Sequence, residues 1–307
     1  MFTSLAPLLL ATPVLLCCAS EPATEAPEEP GASHEVVEGA DSVYGANTFG
    51  LSHVDPEEDE DPETPAGFDH SHAVWTEVLA EHVQGDRFDY AALKKDPAKL
   101  TAYIETLRAV DAKTLASFTD DQRMAFWINV YNAHVVQLIV DNYPVKSIRD
   151  LGTLVNKVWN KRFIQMPALH PDGKNKNLSL DDVEHKILRP RFEDARVHAA
   201  VNCASISCPP LRNEAFVAAR LDAQLDEQVR LWLQDTTRNR FDVAKGKLEV
   251  SKIFDSFKGD FVRESKTVQA WIAKYAPEDV AAFIESAKKV KVSYLDYSWK
   301  LNDVPKK

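Results

Sequence analysis

The 307-residue chain is 45% apolar and carries 47 acidic against 36 basic side chains, a formal net charge of −11. No Lys or Arg precedes Arg87, whereas residues 1–65 hold 14 Asp or Glu, so the remainder is slightly basic, about +3. A chain without a strong basic excess, led by an acidic segment that repels phosphate, is not expected to bind nucleic acid.

In chain order, residues 5–16 form an apolar run that is too short to span a bilayer at 1.5 Å per residue but suits the core of a signal peptide. Leu15-Leu16-Cys17-Cys18 resembles a lipobox whose last residue, Cys18, takes an acyl anchor, although Cys17 stands where Gly, Ala or Ser is usual. Cys17-Cys18-Ala19 also offers an ordinary cleavage site. Residues 1–18 are therefore read as a signal. The expected mature chain is exported, anchored to a membrane through Cys18, and faces the periplasm or cell surface. Residues 19–66 are rich in Pro, Glu, Ala and Asp, with too little apolar surface to offset ordering entropy, and read as an acidic disordered linker. The acidic run 55–63 lacks the Gly turn and terminal Glu of a calcium loop.

Residues 67–307 change to amphipathic segments separated by short breakers. Val74, Val78, Leu79 and Val83 recur at helical spacing, as do Leu100, Tyr103, Ile104 and Leu107, which predicts two short surface helices. His70 and His72 precede the first as a capping or surface pair. The clearest helix is 120–142, with Thr119 as N-cap, Asp120 and Asp121 in the first turn, and Met124, Ile128, Tyr131, Val135, Leu138 and Ile139 as the inner face. A further helix is expected over 180–188, capped by Ser179 and stopped by Pro190. Residues 196–202 read as a buried strand carrying His198, 163–166 as part of a strand pair, and 241–243 with 248–250 as a hairpin. Helices at 214–233, 267–274 and 279–287 and a last strand at 290–295 complete an α+β domain, helix-rich and packed on a small, mostly antiparallel sheet.

The segment Asn202-Cys203-Ala204-Ser205-Ile206-Ser207-Cys208-Pro209 concentrates the chemistry. Cys203 and Cys208 can close a disulfide that pins the loop. Alternatively, Cys203 is a nucleophile with His198 as base and Glu184 as the acid that orients it. A third reading is a metal site, because His185, His198, Cys203 and Cys208 include the nitrogen and sulfur ligands zinc favours, although their spacing is not that of a zinc knuckle; the expectation is no metal and no cofactor. Asn129 and Asn132, three apart on the long helix, either bind neighbouring backbone or donate to a substrate oxyanion. Arg189 and Ser205 are candidate binding residues beside them.

Several segments together resemble the bacterial and plant family of the domain of unknown function 547. They are Asp86-Arg87-Phe88-Asp89-Tyr90, the run from Ala125 to Ala133 that holds Asn129 and Asn132, the run from Ser179 to Arg189, Arg196-Val197-His198 through Leu211, and the run from Leu248 to Phe261. The resemblance spans about residues 70 to 302 and implies a single domain. It further implies a distant likeness to papain-like and transglutaminase-like folds, in which Asn129 stands where a nucleophilic Cys would and His198 is the strand His. At the end, Tyr297-Ser298-Trp299-Lys300-Leu301-Asn302 departs from the family pattern, because Ser298 replaces an acid; Asp296 lies close by.

Two functions follow as expectations. One is a thiol-dependent enzyme of acyl transfer or amide hydrolysis. The other is a non-catalytic envelope module whose cleft holds a peptide or glycan.

Overall fold

The longest helix is set by its own punctuation. Thr119 Oγ1 accepts the N–H of Gln122, and Gln122 Oε1 accepts the N–H of Thr119, so side chains satisfy two donors that a helix start leaves orphaned. The helix then runs Asp120–Asn142, with its Asp pair in the first turn. The computed structural model describes residues 67–305 except 154, 175 and 288. The expected signal, Cys18 and the whole of the expected linker lie outside the described residues.

The helices are α1 (Ala73–His82), α2 (Tyr90–Lys95), α3 (Ala98–Arg108), α4 (Ala112–Ser117), α5 (Asp120–Asn142), α6 (Arg189–Phe192), α7 (Val197–Ala200), α8 (Leu221–Gln234), α9 (Ile253–Ser256), α10 (Lys258–Ser265), α11 (Val268–Ala273) and α12 (Glu278–Ser286). A π-helix, Asp182–Leu188, leads into α6. Strands β1 (Val83–Gln84) and β2 (Arg87–Phe88) pair antiparallel. β3 (Arg240–Asp242), β4 (Lys247–Val250) and β5 (Lys291–Tyr294) form a second sheet in that order, antiparallel between β3 and β4 and parallel between β4 and β5. The α+β class stands, with helices dominating two small sheets. The expected pairing near 163–166 is reduced to one antiparallel bridge, Ile164 with Leu178.

α5 is central. Its expected inner face is buried apart from Leu138, which is half-buried, and so are Phe126, Trp127, Asn129, Asn132 and His134 on its other sides; a helix covered on most sides is a core element. The first hydrophobic cluster gathers around it. A second cluster centres on a chain of rings: Trp232 stacks on Phe254 at 4.6 Å, Phe254 meets Phe261 at 4.7 Å, and Phe261 meets Trp271 at 4.8 Å. Tyr131 and Val201 belong to the first cluster, Ile253 and Phe257 to the second. These four side chains line one small cavity, which therefore sits at the seam between the two cores.

Four expectations are corrected. Residues 197–200 form the short helix α7, not a strand: a brief apolar run fits either element, and Asp194 starts a helical turn by accepting the Arg196 N–H on Oδ1 and the Val197 N–H on its carbonyl. Pro190 does not stop the preceding helix, which continues to Phe192. There the Arg189 N–H reaches the Glu184 carbonyl, five residues back, and this wider turn accommodates a ring that would collide with a regular helical carbonyl. The helix expected from 214 becomes regular only at Leu221, because Asn129 grips the Phe216 backbone on both its N–H and C=O. His72 is buried, not at the surface, with Nδ1 2.7 Å from the Tyr103 hydroxyl.

Candidate functional site

The chain leaves α7 in extended form at Val201 and enters the cysteine loop. Asn202 shapes this loop: its N–H donates to Asn132 Oδ1, its Nδ2 donates to the Pro209 carbonyl, and its Oδ1 accepts the Ala204 N–H. That last bond holds Ala204 at φ 58°, a left-handed turn that folds the loop back on itself. Arg238, buried below the loop, donates to the carbonyls of Cys208 at 2.6 Å and Ile206 at 2.5 Å and pairs with Asp235. On the other side Ile206 donates to the Lys300 carbonyl, which brings the C-terminal segment and Tyr297 over the loop.

The sulfurs of Cys203 and Cys208 consequently stand 2.7 Å apart, both as thiols. Cys208 Sγ also receives the Cys203 N–H at 3.2 Å and lies 3.4 Å from Ser205 Oγ and 3.0 Å from the Tyr297 hydroxyl. Burial alone would push the Cys208 thiol up. The donors from Cys203, Ser205 and Tyr297 outweigh it, and the thiol is lowered from its ordinary value. Tyr297 moves the other way: burial, and then the nearby sulfurs, push its phenol well above the usual range, so it remains a donor.

His198, buried on α7, stacks on Phe257 with ring centres 4.1 Å apart. Its Nε2 donates to Asp260 Oδ2 at 2.8 Å. Burial would raise the Asp260 carboxyl, but the bonds from His198 and Arg189 hold it well below the usual carboxylate range. Burial lowers the His198 imidazole, and the opposing pull of Asp260 and Glu184 does not reverse that. The result is a neutral ring facing an ionised carboxylate. This fixes the proton on Nε2 and leaves Nδ1 as the basic nitrogen.

Each expected site residue can now be placed. Cys203, Cys208, His198 and Glu184 line the same cavity, of about 30 Å³. The carboxylate that meets His198 is Asp260, not Glu184; the Glu184 side chain makes no hydrogen bond or ion pair among the described residues. Arg189 grips Asp260 through Nε at 2.6 Å and Nη2 at 3.2 Å. Ser205 lies in the sulfur cluster, 2.8 Å from the Tyr297 hydroxyl. Asn129 Nδ2 donates to the Phe216 carbonyl and Asn132 Nδ2 to the Ala200 carbonyl, so backbone takes up one N–H of each amide, and neither residue lines the cavity that holds the sulfurs. Among the described residues no group of three or more His, Cys, Asp or Glu is arranged to hold a metal ion.

Asp260, Tyr297 and Arg238 were not singled out from sequence. Asp260 lies in the run from Leu248 to Phe261 and Tyr297 begins the C-terminal segment, both already noted for resemblance; nothing local marked either as a partner of residues many positions earlier.

Residues 115–233 match the family model described as protein of unknown function, DUF547. The matched stretch contains Glu184, His198, Cys203 and Cys208, while Asp260 and Tyr297 lie beyond it. No curated protein and no solved structure matches the chain, so the likeness to papain-like and transglutaminase-like folds gains no support.

Proposed function

We propose that this chain, a member of the DUF547 family over residues 115–233, performs thiol-dependent acyl transfer or amide hydrolysis in the cleft between its two cores. The observation that carries the reading is the imidazole of His198, pinned through Nε2 by Asp260 and facing one cavity with both sulfurs. Cys208 is the nucleophile, because the donors around it favour its thiolate; Cys203 and Tyr297 are donors to that sulfur.

In acylation the Cys208 sulfur adds to the substrate carbonyl and its proton goes to His198 Nδ1, with which neither sulfur makes a direct hydrogen bond among the described residues. The bond to the leaving group then breaks as His198 returns the proton to it. In deacylation water or an acceptor amine gives a proton to His198, attacks the thioester, and restores the thiol. Asp260 keeps the ring in the required tautomer throughout, as an orienting carboxylate does in other nucleophile–base pairs.

p-Nitrophenyl acetate tests the reading. The reduced domain should release a stoichiometric burst of p-nitrophenolate and carry an acetyl group on Cys208. Cys208→Ser should abolish both, and His198→Ala should slow the burst about a hundredfold or more. A burst that survives in both Cys208→Ser and Cys203→Ser would remove the sulfur from the mechanism.

The contact between the two sulfurs favours a second reading. In an oxidising compartment they join, the nucleophile is lost, and the same cleft serves as a binding module for peptide or glycan. Absence of any burst after full reduction favours that module. Export and an acyl anchor on Cys18 belong to the same proposal and rest on residues 1–18 of the sequence. Partition of the full-length protein into a detergent phase, lost in Cys18→Ser, is the expected result.

A further inference from the structure

Addition of a thiolate to a carbonyl moves negative charge from sulfur to oxygen, and that oxygen needs a donor of its own. Asn129 and Asn132 do not line the cavity that holds the sulfurs. Tyr297 does, and its hydroxyl stands 3.0 Å from Cys208 Sγ and 3.4 Å from Cys203 Sγ. Ser205 Oγ also reaches Cys208 Sγ, at 3.4 Å, but Ser205 is not among the cavity walls. The Cys203 N–H, 3.2 Å from the same sulfur, is fixed in the loop backbone.

The phenol is in place before any substrate arrives. The Ser298 N–H, next in the chain, donates to Ser207 Oγ at 2.8 Å, the Ile206 N–H donates to the Lys300 carbonyl at 2.9 Å, and Leu301 bridges Ser205. The Tyr297 ring packs against Trp299 with ring centres 4.6 Å apart. These contacts tie the C-terminal segment across the cysteine loop. The hydroxyl then has only to turn its O–H about the C–O bond to leave the sulfur for an oxygen one carbon away.

From this geometry we infer that Tyr297 is the oxyanion donor of the cleft, its hydrogen bond moving from Cys208 Sγ to the substrate's carbonyl oxygen as the sulfur–carbon bond forms. The inference rests on the reading of Cys208 as an acylated nucleophile and adds a catalytic residue to it. In the addition the carbonyl π pair moves onto oxygen. Tyr297 keeps its proton, because burial and the nearby sulfurs hold its phenol well above the usual range. On collapse the pair returns to the carbonyl, the leaving group departs with the proton from His198, and the hydroxyl is released. A donor already oriented in a site withdrawn from water stabilises the new charge without solvent reorganisation.

Two reagents applied side by side to the reduced protein, at one pH, test this. p-Nitrophenyl acetate acylates Cys208 through an oxyanion, whereas iodoacetamide alkylates it by displacement at a saturated carbon and forms none. The ratio of burst rate to Cys208 alkylation rate therefore cancels any change in thiolate fraction. In Tyr297→Phe that ratio should fall about a hundredfold. In the wild-type chain it should exceed the ratio for a small cysteine peptide by about as much, a comparison that needs no variant. A parallel fall of both rates in Tyr297→Phe would confine the phenol to holding the thiolate and overturn the inference, as would a wild-type ratio no higher than the peptide's. Fast alkylation of Cys208 in a wild-type chain that shows no burst at all is a different failure: it removes the acyl-transfer reading, and the oxyanion role with it.

Discussion

Asp260 joins three functions in one carboxylate: it accepts from His198, it neutralises Arg189, and it fixes which imidazole nitrogen is basic. Asp260→Asn should therefore act twice. Arg189 loses its counterion, and because its side chain is 29% exposed solvent screening limits the stability loss to about 2 kcal/mol, below that of a fully buried pair. Chemical denaturation measures that term. The p-nitrophenyl acetate burst measures the other, which should slow about a hundredfold as the ring loses its imposed tautomer. A variant with the expected instability and an undiminished burst would confine Asp260 to a structural role. Residue-level chemistry was only half legible in the sequence. Cys203, Cys208 and His198 stood out by type and spacing, whereas the partner of His198 comes from a helix 62 residues further on, and Glu184 offered a carboxylate just as plausible from one dimension.

At the scale of elements, local signals served well where they acted alone. Thr119 and Gln122 fixed the start of α5 because both halves of the capping pair lie within four residues. The hairpin β3–β4 and helices α11 and α12 likewise fall close to where residue patterning places them, with α11 capped by Thr267 and α12 lacking a side-chain cap. Misreadings fell where tertiary contacts decide. α7 is helical because its packing against α8 and the Asp194 turn settle a run that periodicity leaves ambiguous, and the π-turn before Pro190 has no signature in hydrophobic spacing. The capping claim is measurable: Thr119→Ala should cost about 1 kcal/mol in denaturant unfolding and leave the rate of Cys208 alkylation unchanged. A loss of alkylation at unchanged stability would show that the start of α5 communicates with the cleft.

For the whole molecule, buried histidines set the response to acid. His72 and His134 lie in the first core, and burial above all holds each imidazole down to about 4 from 6.5. The unfolded chain therefore takes up protons first as pH falls through about 6.5, and the fold loses stability from there until the folded imidazoles protonate near 4. The loss is roughly 3 kcal/mol per histidine over that window. Asp260 adds to it at still lower pH, where its depressed carboxyl is finally protonated. Urea midpoints should thus fall steeply between about pH 6.5 and about pH 4, and His134→Leu should flatten part of the slope. A midpoint constant over that range would mean that these rings are hydrated and titrate normally. Among the described residues no helix is long and apolar enough to cross a membrane.

The account turns on whether the seam between the two cores delivers an activated sulfur to solvent. Site-resolved alkylation by iodoacetamide, on fully reduced protein at about pH 6, measures this directly. The expected result is that Cys208 is modified faster than cysteine in a small peptide and faster than Cys203, with the advantage reduced in Tyr297→Phe, which removes a donor to the thiolate. Reaction of both sulfurs at or below the rate of the peptide thiol, unchanged by Tyr297→Phe, would contradict it.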